Sequence, residues 1–151
     1  MLAEYRRVVN ELHDTIHDYY MIYNKGAKKI DEYNLTVQQE NMMLFIMRNQ
    51  RITANEIALK FSISKSAVSQ VLAKLEERDF IVRESNPNNR REALITLGEE
   101  GKKFADLIDK ADEDFVQKYC SRIGIEDLKQ VVDTMKKING AIADSEEKKK
   151  R

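Results

Sequence analysis

Tryptophan is absent from this chain, and proline, cysteine and glycine are scarce: one, one and five among 151 residues. So few breakers indicate a helix-rich protein with short connections. The single cysteine, Cys120, excludes an internal disulfide and fits a reducing cytoplasm. No apolar run approaches the ~20 residues that a membrane span needs. The amphipathic start MLAEYRRVVNELHD turns acidic early, unlike a secretory signal, so no membrane association is expected. Catalytic equipment is equally thin. There is no Gly-rich phosphate loop, no nucleophile elbow and no metal-ligand set, so neither an enzyme nor a cofactor is expected.

Net charge is also lacking, with 26 basic against 26 acidic side chains. Taken alone, that balance argues against a nucleic-acid partner, but the charges are unevenly spread. Residues 1–47 carry 5 basic and 7 acidic groups (−2), residues 48–91 carry 9 and 5 (+4), and residues 92–151 carry 12 and 14 (−2). Local charge, not the total, attracts a phosphate backbone.

What is present is a 42% hydrophobic content, enough for one real core, arranged mainly at helical spacing. Val8 or Val9, Leu12, Ile16, Tyr19, Tyr23 and Ala27 predict a helix over 4–30. Thr36 with Gln39, and Thr53 with Glu56, form two capping boxes that open helices over about 37–48 and up to about Phe61. Ser64 caps the next helix, to about Arg78. Phe80–Glu84 and Glu92–Leu97 read as strands around the turn former Asn86-Pro87-Asn88-Asn89, with Arg51-Ile52 long enough for one strand rung only. Helices follow over 99–119 and 126–143, broken near Gly124, and the tail SEEKKKR reads as frayed.

Residues 53–78 meet the demands of a helix-turn-helix. Ala58 is small where the second helix crosses, Ser62 occupies the turn position that needs an unusual backbone, and Ile57, Phe61, Ile63, Val68 and Val71 lock the pair. With Val68, Val71, Leu72 and Leu75 turned inward, the outer face carries Lys65, Ser66, Ser69, Gln70 and Lys74. These are hydrogen-bonding groups and cations suited to base edges and phosphates. A solvated helix face would look much the same. The hairpin favours DNA, because Arg90 and Arg91 at its tip bury nothing yet suit phosphate contact or a narrow minor groove.

LTVQQ at 35–39, the helix-turn-helix at 53–78, FIVRE at 80–84, NPNNRRE at 86–92 and LGEEG at 97–101 together resemble the winged-helix core of the MarR family of bacterial transcriptional regulators. The flanking helices follow the family's order, so the resemblance covers nearly the whole chain. It implies a mainly α fold with a small β wing, in which a winged helix-turn-helix core (35–98) is flanked by dimerisation helices (1–34 and 99–143); the charged tail (144–151) reads as disordered from its own composition. The resemblance also implies a cytoplasmic, nucleoid-associated homodimer in a bacterium or archaeon. Such a dimer would hold two recognition helices ~34 Å apart on a pseudo-palindromic promoter DNA site. Three positions depart from the family pattern. Asn89 replaces the acid that usually braces the wing arginine, here Arg91. Asp79 replaces a glycine, and Gly98 replaces a threonine, which removes a helix cap and suggests a looser start to the following helix.

The resulting expectation is a repressor. Lys65, Ser66, Ser69 and Gln70 approach bases, Lys60, Lys74 and Arg83 contact phosphates, and Asn89, Arg90 and Arg91 form the wing. Tyr19, Tyr20, Tyr23, Met42, Met43 and Phe45 are candidates for a pocket holding a small aromatic or phenolic effector, although core packing accounts for them equally well. His13 and His17 stand one helical turn apart without a third metal ligand, and Cys120 is a lone thiol. The rival readings are a winged-helix module that docks another protein and a sequence-tolerant nucleoid protein.

Overall fold

The computed structural model describes residues 1–150, with Lys28 described by its backbone alone. The elements are α1 (Leu2–Gly26), a 3₁₀ segment (Lys28–Tyr33), α2 (Val37–Arg48), α3 (Ala54–Phe61), α4 (Lys65–Glu77), β1 (Ile81–Ser85), β2 (Ala93–Leu97), α5 (Glu99–Lys118), a 3₁₀ turn (Cys120–Arg122) and α6 (Ile125–Lys149). The chain divides into two compact units, Met1–Asp112 and Glu113–Arg151.

The first unit holds the core. Met42, Met43 and Ile46 of α2, Ile57 of α3, and Val68, Leu72 and Leu75 of α4 are fully buried. Phe80, Ile81, Ile95, Phe104 and Ile108 close around them. Both capping boxes form as expected. Thr36 Oγ1 accepts from the Gln39 N–H at 3.1 Å while Gln39 Oε1 accepts from the Thr36 N–H at 2.9 Å. Thr53 and Glu56 exchange the same pair of bonds at 3.2 Å. β1 and β2 pair antiparallel from Ile81↔Leu97 to Ser85↔Ala93, and Ile52 adds one bridge to Ile95.

Three expectations are corrected. The first helix stops at Gly26 rather than continuing to residue 30. Its sequel tightens into a 3₁₀ segment that carries Ile30 and Tyr33 into the core, and it ends at Asn34 in the left-handed region (φ 50). The last helix does not stop at residue 143, since α6 runs through Ser145–Lys149. Glu and Lys are strong helix formers, and Asp144/Lys148 and Glu146/Lys150 stand at supportive spacing. The start of α5 is not loose either. The Asp79 carbonyl accepts from the Glu100 N–H at 3.0 Å and the Gly101 N–H at 3.4 Å, so main chain replaces the missing side-chain cap.

Candidate nucleic-acid interface

The helix-turn-helix is built from local rules. α3 ends at Ser62, which takes the left-handed backbone (φ 52) anticipated for the turn. The Ile63 N–H closes back on the Ala58 carbonyl at 3.2 Å, and Ser64 Oγ accepts from the Ala67 N–H at 3.1 Å to start α4. α4 is strictly two-faced. Val68, Leu72 and Leu75 are buried, whereas Lys65, Ser66, Ser69, Gln70 and Lys74 are all exposed. Two residues past the end of α4, Asp79 also takes the left-handed region (φ 58).

At the wing tip the asparagines organise the main chain. Asn86 Oδ1 accepts from the Asn88 N–H at 3.0 Å, and Asn89 Oδ1 accepts from the Arg91 N–H at 3.1 Å. Asn89 therefore braces the backbone of Arg91. Arg90 and Arg91 are exposed. At the base of the wing, Glu92 accepts a hydrogen bond from Asn55 Nδ2 at the start of α3, tying the hairpin to the helix-turn-helix. This link between residues 37 apart in sequence leaves no mark in composition or spacing.

Not every cation of the basic stretch is equally available. Arg83 Nε lies 3.0 Å from Glu76 of α4, and Arg51 lies 3.6 Å from Glu84. Arg78 is taken up by main-chain carbonyls and the Phe80 ring. Lys60 sits 5.9 Å from the centre of the Phe45 ring. Exposed ion pairs are worth only about 0–1 kcal/mol, so Arg83 can exchange partners, but its charge is partly offset.

The residues considered for an effector pocket do not form one group. Met42 and Met43 are fully enclosed in the core, and Phe45 packs edge-on against Phe61 at 5.8 Å. Tyr19 and Tyr20 are exposed on α1, with Tyr19 stacked on Tyr23. Tyr23 donates to Asp112 of α5 at 2.5 Å, and burial followed by that bond pushes its ionisation upward. A cleft of about 480 Å³ lies elsewhere in this unit, lined by Lys29, Glu32, Tyr33, Arg78, Phe80, Glu100 and Leu107. His13 and His17 are exposed on α1, and among the described residues no cluster of three or more metal-ligating side chains occurs. Cys120 is half-buried in its 3₁₀ turn. No helix among the described residues is long and apolar enough to cross a membrane.

A helix-turn-helix with a polar outer helix, followed by a two-stranded antiparallel hairpin, defines a winged-helix protein of mainly α class. Residues 33–92 match the family model described as MarR family. The HTH-type transcriptional regulator YwhA of Bacillus subtilis, itself uncharacterised, is 30% identical over 111 residues, spanning 71% of this chain and 80% of that protein. The chain belongs to the MarR family and is a transcriptional regulator rather than an enzyme. Among solved structures, Streptococcus pneumoniae FabT in complex with DNA superposes with a TM-score of 0.74 at 15% identity, covering 93% of this chain and 98% of that one. Staphylococcus aureus MarR in complex with salicylate and kanamycin gives 0.69 at 20% identity, covering 94% and 97%. At such identities the likeness is one of fold.

Proposed function

We propose that this regulator is a repressor that binds a pseudo-palindromic promoter site in double-stranded DNA as a homodimer, and that a small aromatic or phenolic effector releases it. The observation that carries the reading is the division of α4, with Val68, Leu72 and Leu75 buried, Val71 partly so, and the other face presenting Lys65, Ser66, Ser69, Gln70 and Lys74. Lys65, Ser66, Ser69 and Gln70 approach base edges, while Lys74 and Lys60 meet phosphates. Arg90 and Arg91 reach the backbone or minor groove beside them, held by the Asn89 turn. Arg83 joins the phosphate set only by leaving Glu76. The DNA complex of FabT, which shares the fold, supports this use of a winged helix.

The terminal helices supply the reason for two copies. Neither α1 nor α6 contains a buried residue. Val8 and Val9 on α1 are 51% and 42% exposed, and Val131 and Val132 on α6 are 61% and 50% exposed. Apolar stripes of this extent gain most by burial against a second copy. A cleft of about 480 Å³ has the volume for a small effector. The salicylate-bound MarR makes a phenolic acid a reasonable first ligand to test. Release then follows from a population shift between two spacings of the recognition helices.

The test is fluorescence anisotropy against salt, with light scattering for assembly. Arg91→Ala should weaken binding to all duplexes by a similar factor and reduce the salt slope by about one. If neither changes, the wing assignment is wrong. Equal affinity of the unmodified protein for selected and random duplexes would favour the nucleoid reading. A monomeric mass at micromolar concentration would remove the dimer.

A further inference from the structure

Arg78 lies at the end of the recognition helix, is exposed and belongs to the basic stretch, so charge alone would assign it to a phosphate. Its contacts run the other way. Nη1 donates to the carbonyl of Asn34 at 3.3 Å, and Nη2 donates to the carbonyl of Tyr33. The guanidinium carbon lies 5.0 Å from the centre of the Phe80 ring. Tyr33 and Asn34 end the 3₁₀ segment, where terminal carbonyls lack partners within the helix. One planar fork satisfies two of them, which the point charge of an ammonium group reproduces poorly. The segment it holds belongs to the core, since the Tyr33 ring meets Phe80 and Phe104 edge-on at 5.8 and 5.5 Å. The next residue, Asp79, accepts from the Glu100 and Gly101 N–H groups in the first turn of α5 through its carbonyl. Two consecutive residues thus tie the end of α4 to the segment before α2 and to the start of α5.

We infer that Arg78 is a positioning residue that fixes the C-terminal end of the recognition helix against the 3₁₀ segment and makes no phosphate contact. The part concerning phosphate rests on the DNA-binding reading above; the part concerning the joint does not. Under the dimer reading, α1 leads directly into this segment, so the joint links the chain that follows the dimer face to the end of the recognition helix without passing through α2 and α3.

Two measurements test it on the full chain, using Arg78→Gln and Arg78→Lys. In hydrogen exchange of the free protein, amides of residues 28–36 should exchange roughly tenfold faster in both variants, a scale set by loss of the charge-assisted bonds. Residues 65–76 should keep their protection. Unchanged exchange at 28–36 in both variants overturns the inference. Should Arg78→Gln fail to fold, Arg78→Lys decides alone: faster exchange with the charge retained supports the joint, and exchange like that of the unmodified protein overturns it. In anisotropy on a random-sequence duplex of about two helical turns, both variants should keep the salt slope of the unmodified protein. A phosphate contact would instead flatten the slope by about 0.9 in Arg78→Gln and preserve it in Arg78→Lys. That pattern also overturns the inference. If the unmodified protein binds no duplex at any salt, the DNA reading fails, while the exchange experiment still decides whether Arg78 holds the segment.

Discussion

Replacing glycine by alanine inside a helix ordinarily stabilises a protein by about 1 kcal/mol, because alanine loses less backbone freedom. Gly101, in the first turn of α5, should do the opposite. A Cβ there would lie 2.0 Å from the Phe80 carbonyl oxygen, 3.0 Å from its carbon and 3.3 Å from Leu97 Cδ2. Carbon–oxygen contacts relax near 3.3 Å, so α5 would have to withdraw by on the order of 1 Å. That movement opposes the Gly98 N–H to Phe80 carbonyl bond and the Glu100 N–H to Asp79 carbonyl bond, both 3.0 Å. It also parts Phe104 from Phe80 in the sealed core. Overpacking costs about 1–3 kcal/mol, and each weakened hydrogen bond about 0.5–1.5 kcal/mol. Set against the gain in propensity, Gly101→Ala should destabilise by roughly 2–4 kcal/mol. For a chain of this length that lowers Tm by about 5–15 °C. Gly140 of α6 has nothing within 4 Å of its would-be Cβ, so the same substitution there should stabilise by about 1 kcal/mol. Thermal melts of both variants followed by circular dichroism, at one protein concentration, compare the signs directly. A Gly101→Ala protein melting at or above the unmodified one would refute the reasoning.

Three further outcomes follow from the same geometry. Ser62→Gly should raise stability by about 0.5–1 kcal/mol in urea titration, because glycine adopts the left-handed turn without a Cβ penalty; a loss would mean that the hydroxyl has a role beyond the turn. Tyr23 is held protonated by burial and by Asp112, so the native state keeps this proton more tightly than the unfolded chain. Its contribution is therefore intact below pH ~10, the ordinary tyrosine value, and is lost as pH rises beyond it. Unfolding free energy should fall more steeply above pH ~10 in the unmodified protein than in Tyr23→Phe, and parallel slopes would exclude this linkage. Gln70→Ala should relax preference at one or two base pairs, each worth ~1–3 kcal/mol, read by selection from a randomised duplex pool; an unaltered consensus would place Gln70 off the bases.

Much of the fold was legible because its signals are local. Capping boxes at Thr36/Gln39 and Thr53/Glu56, the cap at Ser64 and the turn at Ser62 each depend on residues within a few positions of one another. The two faces of α4 followed from periodicity alone, since a 3.6-residue repeat fixes which side chains share a side. The end of α1 was harder to read. Its apolar spacing continues past Gly26, but the chain tightens so that Ile30 and Tyr33 can enter the core. Likewise, the residues after 143 carry no apolar spacing that would mark the helix continuing through them.

The sequence by itself determined the elements, the two-sided recognition helix and the placement of positive charge in residues 48–91. Each is a property of neighbours along the chain. Tertiary structure decided which of those charges remain available. It paired Arg83 with Glu76, turned Arg78 onto the carbonyls of Tyr33 and Asn34, tied Glu92 to Asn55, and closed the start of α5 with the carbonyl of Asp79. It also sealed Met42 and Met43 in the core and left a cleft beside Tyr33 and Phe80. Those outcomes depend on groups brought together from distant positions. A hydrogen bond or ion pair is set by distance and direction in space, which spacing in sequence does not specify.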